Sequence, residues 1–316
     1  MSRRYVPLAA LLGMGLLVVD CGGSKSTDST PSSPKVTPTT VFNAVGVTVY
    51  TENKLAWSSD GTKVAFHGSP GGVYEVTASA GATPQAVVFT TAPAYGMYDP
   101  AYAGSTLTVM TTWMNGDADK NIHVVSALGG DPNTHIFRSF NASLLGFVAD
   151  VGTTPEQWGL SSDGMRAIAR FHSVENGSGV SYGTGGVFTL DFSTSPATCV
   201  KLGEYSAITD VAISGDGTRL AYIKAGTVYY RDWTNQEHSI AVGSDVSLTS
   251  NGRLVGFVSG SNYAVYDVLN GITTNYALPA GAWAQLATLA PNGTKIAYRI
   301  FGSQNGDGLV VGTLTN

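Results

Sequence analysis

At 316 residues the chain has room for one large β domain or two ordinary domains. Only 12% of residues are charged while 39 are glycine, which excludes long amphipathic helices and favours short strands joined by tight turns. The net charge is −5 and no run of Lys or Arg lies beyond the extreme N-terminus, so the basic stripe that nucleic-acid binding requires is missing.

The chain opens on Met1-Ser-Arg-Arg, followed by an apolar run from Val6 to Val19 that is too short to span a bilayer. The run ends at Asp20-Cys21-Gly22-Gly23-Ser24. An apolar run that closes on a cysteine and small polar residues resembles a bacterial lipoprotein signal peptide, although Asp20 stands where that family carries a small residue. The resemblance implies a signal peptide over residues 1–20, a lipidated Cys21, and export to the cell envelope. Gly22 after the cysteine resembles outer-membrane sorting, on the periplasmic or surface side. Residues 22–40 hold no large apolar residue except Val36, so the composition predicts a flexible tether over 21–40 and a folded domain over 41–316.

Past the tether, five segments align on one turn: Lys54–His67, Gln157–Arg170, Asp210–Ile223, Asp245–Val258 and Leu286–Arg299. A weaker sixth, Met97–Met110, carries Ala103-Gly104 where the others have Asp-Gly or Asn-Gly. The turns recur about every 35 to 60 residues, the period of propeller blades rather than of short solenoid repeats. Before each turn large residues alternate with small ones, as in Leu55-Ala56-Trp57-Ser58, and strict alternation predicts a strand. The Asp/Asn-Gly pair predicts a hairpin, because glycine accepts positive φ without steric cost. Second strands (Val64-Ala-Phe66), third strands (Gly72-Val-Tyr-Glu-Val) and less regular fourth strands follow.

These residues resemble the TolB-like (WD-like) propeller repeat over about residues 53–316. Tyr74, Phe188, Tyr229 and Tyr266 match the aromatic of its third strand. The expected fold is all-β: a six-bladed β-propeller of four-stranded antiparallel blades, closed by an N-terminal strand. The last unit has three strands, so Val45 to Tyr50 is expected to complete it and remove an exposed edge.

No catalytic motif emerges. Asp60, Asp163 and Asp216 each precede a turn glycine, where an aspartate caps its own backbone. Asp117-Ala-Asp119-Lys-Asn121 lacks the later ligands of a calcium loop, the histidines and cysteines have no zinc spacing, and no G-x-S-x-G elbow is present. Neither a metal nor a cofactor is expected. The repeat does place one set of variable residues at the start of the inner strand (Lys54, Gln157, Asp210, Asp245, Leu286). A second set ends the following strand (His67, Arg170, Ile223, Val258, Arg299). In antiparallel blades both sets lie at one end of the channel. Variable polar residues on a constant scaffold make Lys54, His67, Gln157, Arg170, Asp210, Asp245 and Arg299 the candidate recognition surface. The expected function is a lipid-anchored, monomeric binding module for a protein or cell-envelope component. The alternative is an envelope hydrolase or lyase acting on glycans or peptides, because propellers host both.

Overall fold

The Asp/Asn-Gly pairs build one hairpin repeatedly. In the first, Ser58 Oγ donates to Asp60 Oδ1 at 2.6 Å, Thr62 N donates to the same oxygen at 3.0 Å, and Gly61 takes φ 68°. The set recurs at Ser161-Asp163-Gly164, Ser214-Asp216-Gly217 and Thr249-Asn251-Gly252. A side chain that caps its turn, beside a glycine in the left-handed region, ends one strand and starts the next. These aspartates are structural.

The computed structural model describes residues 33–42, 47–49, 54–70, 72–87, 99–111, 121–126, 136–141, 155–172, 185–233, 236–279, 285–303 and 306–316. Residues 1–32 with Cys21, the acidic pair Asp117 and Asp119, and Gly177–Gly183 lie outside the described residues.

Twenty-five strands and no helix make up the secondary structure of the described residues. β1 (Lys35–Phe42) and β2 (Thr48–Val49) come first. β2, β3 (Ala56–Trp57), β4 (Lys63–Ser69), β5 (Gly72–Thr77) and β6 (Gln85–Val87) form the first sheet, where β2 and β3 both pair with β4. The second sheet is β7 (Pro100–Ala103), β8 (Thr106–Thr111), β9 (Asn121–Ser126) and β10 (Ile136–Asn141). The third is β11 (Gln157–Leu160), β12 (Arg166–Phe171), β13 (Gly186–Asp191) and β14 (Thr198–Glu204). The fourth is β15 (Ile208–Ile213), β16 (Arg219–Lys224), β17 (Thr227–Asp232) and β18 (Glu237–Val242). Then come β19 (Ser244–Leu248), β20 (Leu254–Ser259), β21 (Asn262–Asp267) and β22 (Ile272–Ala277). The last are β23 (Gln285–Leu289), β24 (Lys295–Ser303) and β25 (Gly306–Thr315). These seven join β1 in an eight-stranded sheet ordered β19-β20-β21-β22-β1-β25-β24-β23. One parallel bridge, Lys35 to Ala277, links β22 to β1, so the sheet is two antiparallel groups meeting edge to edge.

The alternation seen in the sequence sends apolar side chains into the gaps between successive groups. Trp158 and Leu160 pack on Met110, Ile122 and Phe140 of the second sheet. Ile168 and Val187 meet Val211 and Tyr222 of the fourth. The last group packs back on the first: Ala290, Ala297, Leu309 and Val311 share one core with Leu55, Trp57, Val64 and Phe66. Trp57 adds an indole hydrogen bond to Thr288 O at 3.1 Å. The fold is all-β and β-propeller-like.

The strand that pairs with the last one is not Val45–Tyr50. β1 begins at Lys35, inside the segment read as a tether, and runs antiparallel to β25 from Lys35 opposite Thr315 to Phe42 opposite Leu309. Of the expected strand, Thr48 and Val49 pair with Ser69 and Gly68 of β4 instead. The Thr- and Pro-rich composition concealed a strand whose two valines, Val36 and Val41, are both buried. Pro38 is tolerated because β1 is outermost in its group, where a missing N–H breaks no central ladder.

Candidate binding site at the channel mouth

The inner strands β3, β7, β11, β15, β19 and β23 surround a narrow channel of about 130 Å³. Gln157 lies directly opposite Arg170 and Asp210 opposite Ile223, so the two residue sets share one end of it. The structure gives these residues different roles.

Lys54 crosses the channel. Its Nζ donates to Val246 O at 2.9 Å and to Val211 O, and stands 2.6 Å from Asp210 Oδ1. An ammonium has three N–H groups, and all three are taken. Asp210 also accepts from Val211 N at 2.8 Å and from Val246 N at 2.7 Å. With its amide in the orientation its neighbours require, Gln157 donates to Asp210 Oδ1 at 3.2 Å and to Thr209 O at 3.1 Å. Side-chain exposure is only 19% for Lys54 and 8% for Asp210. These side chains are struts between sheets.

Asp245 extends the network. Its Oδ1 accepts Leu286 N at 3.0 Å and its Oδ2 accepts Ser244 Oγ at 2.7 Å. Both Asp245 (φ 54°) and Leu286 (φ 57°) take left-handed backbone, which costs about 1–2 kcal/mol per residue for a side chain with a Cβ. Pairing registers slip here in three consecutive groups, at Ile208/Asp210, Ser244/Ser247 and Gln285/Thr288. Bulges of this kind re-aim side chains. Burial, and then the charge of Asp210, push the Asp245 carboxyl above its ordinary range.

Asp99 belongs to the ring and was missed. Its Oδ1 accepts Lys54 N at 3.1 Å, and its carbonyl accepts the Trp158 indole at 2.7 Å. The β7–β8 hairpin turns at Gly104, with Ala103 directly opposite Thr106. Ser59 N donates to Gly104 O just as Ser162 N donates to Gly215 O, so Gly104 matches Ser59 rather than Gly61. The second repeat therefore slides by two positions, and Asp99 stands where Lys54 stands in the first.

His67 and Arg299 are buried, and burial holds the His67 pKa below its ordinary value. Arg170 is held by Ile208 O at 2.8 Å, by Glu156 Oε2 at 2.6 Å, and by the Tyr205 ring, whose centroid lies 3.6 Å from its guanidinium carbon. The Tyr205 hydroxyl donates to the same Glu156 oxygen, and His172 meets the Tyr205 ring edge-on at 4.8 Å. Burial, and next the bond to Glu156, push the Tyr205 hydroxyl pKa up and keep it a donor. Of the ion pair, Arg170 is sunk at 11% exposure and Glu156 is shown at 42%. Neither Glu156 nor Tyr205 carried a repeat signal, since both flank the aligned segments.

Among the described residues no three His, Cys, Asp or Glu side chains are placed to hold a metal. No family model and no curated protein matches the chain. In the solved structures it is similar to a chain of the "Crystal Structure of Mitotic Checkpoint Complex", with a TM-score of 0.54 and 14% identity over 96% of this chain and 100% of that one. At that identity the likeness concerns the fold. With 984 solved chains matching it, the fold singles out no function, which must be argued from the site.

Proposed function

We propose that the chain is an exported, monomeric cell-envelope lipoprotein, anchored through Cys21, that binds a protein or envelope component at the channel mouth and catalyses nothing. Its body is a six-bladed propeller closed by β1, of the TolB-like kind that the repeat resembles. The blade count is supported by the inner strands around the channel, by the antiparallel pairing of β1 with β25, and by the core that the last group shares with the first. The single observation that carries the function is the Glu156–Arg170–Tyr205 group. It is ordered by its own contacts, and its carboxylate is exposed beside Lys54, Asp210 and Asp245, whose contacts tie neighbouring strands together.

A photo-crosslinking residue at exposed Thr209, beside the mouth, tests this in intact cells against the same residue at exposed Ser59 on the hairpin face. Crosslinks to a discrete partner from Thr209 alone are expected. Equal yields from both positions remove the mouth from the reading, and turnover of a glycan or peptide by the purified protein replaces it with the envelope hydrolase or lyase. For the anchor, Cys21→Ala should move the protein from the membrane to the soluble fraction.

A further inference from the structure

We infer that the channel mouth recognises a basic side chain, an arginine or lysine of a protein partner, through Glu156. The inference rests on the mouth being a binding face and names what it binds. Both donors that hold the Glu156 carboxylate, Arg170 Nη1 and the Tyr205 hydroxyl, converge on Oε2. Oε1 accepts no bond from the described residues, so the carboxylate is fixed in direction with one oxygen open. A carboxylate accepts at both oxygens and at no time donates while ionised, so a ligand here must bring hydrogen-bond donors.

Charge selects among donors. Arg170 neutralises the pair on paper, but its guanidinium lies against the Tyr205 ring while the carboxylate is the exposed member. Of the other cations at this end, Lys54 has every N–H committed to acceptors inside the channel, and Lys224, opposite Ile208, lies 3.7 Å from the Glu237 carboxylate. What an approaching molecule meets first is therefore negative, on a chain whose net charge of −5 draws cationic partners. Preorganisation adds to this, because a carboxylate already immobilised loses little side-chain entropy on binding. A guanidinium or ammonium supplies charge and N–H donors together, and an Arg guanidinium can in addition reach the exposed His172 at the edge of Tyr205.

The test titrates full-length protein with acetyl-Gly-Arg-Gly-amide, with its citrulline twin, and with spermidine, following the ring resonances of Tyr205 and His172 by NMR. Saturable shifts are expected with the arginine peptide, with affinity about tenfold weaker for the uncharged twin, as for loss of one charged hydrogen bond. Glu156→Gln, which keeps an oxygen for Tyr205, should lose that preference while melting within a few degrees of wild type. Equal binding of the twin, or an unchanged preference in Glu156→Gln, overturns the inference. Tighter binding of spermidine than of the peptide overturns the assignment to a protein side chain. The two readings fail separately. A partner crosslinked at Thr209 as well in Glu156→Gln as in wild type defeats this inference alone, whereas arginine binding without any envelope crosslink defeats the proposed function and leaves the site.

Discussion

Lys54 is the residue on which the mouth depends, because it joins three inner strands from the far side of the channel. Lys54→Met keeps the length of the side chain but leaves Asp210, 8% exposed, with its charge uncompensated. Breaking a buried pair in this way costs about 3–5 kcal/mol, which corresponds to a fall in Tm of about 10 °C for a chain of this size. A Tm within 2 °C or so of wild type in scanning calorimetry would show that the strut bears little load. Asp245 behaves in the opposite sense. Its pKa is raised in the fold by burial and by Asp210, so the folded state binds that proton more tightly than the unfolded chain. The penalty of its charge is present at neutral pH and is relieved as pH falls through the raised pKa. Asp245→Asn keeps an oxygen for Leu286 N without the charge. It should therefore be at least as stable as wild type at pH 7, with the gain disappearing in acid. Asp210→Asn should be less stable at pH 7. If the two variants respond alike in melts across pH 4 to 8, the division of labour between them is wrong.

Hairpins and strands were legible to different degrees. The Asp/Asn-Gly turns could be read because their chemistry is local: Ser58, Asp60, Gly61 and Thr62 satisfy one another within five residues. β1 could not be read, because what makes Lys35–Phe42 a strand lies more than 260 residues away in β25. Its composition is that of a linker, and only pairing distinguishes the two. Asp99 was hidden by a hairpin two residues shorter than its counterparts, which shifts the alignment without spoiling its appearance. The inward turn of Asp210 and Asp245 was illegible for a related reason, since a bulge redirects side chains that strict alternation would send outward. The seat of β1 yields a sharp element-level prediction. A Cβ at Gly312 would stand far inside van der Waals contact with Val36 Cγ1. Gly312→Ala should cost about 1–3 kcal/mol through overpacking. Adding Val36→Ala should recover part of that, a coupling that distant sites do not show. Strictly additive losses in denaturant melts would mean that β1 does not seat on β25 as described.

For the whole molecule, the proposed closure of the ring rests on the pairing of β1 with β25. Truncation tests it most directly, in protein stripped of residues 22–32 and in protein stripped of residues 22–42. The shorter deletion should leave Tm unchanged within about 1 °C, since it keeps all of β1, from Lys35 to Phe42, that pairs with β25. The longer one removes β1 with Val36 and Val41. At about 1.5–3 kcal/mol for each buried valine it should lower Tm by roughly 10 °C, and the bared edge of β25 should promote aggregation. Equal melting temperatures for the two truncations would contradict closure of the ring by β1.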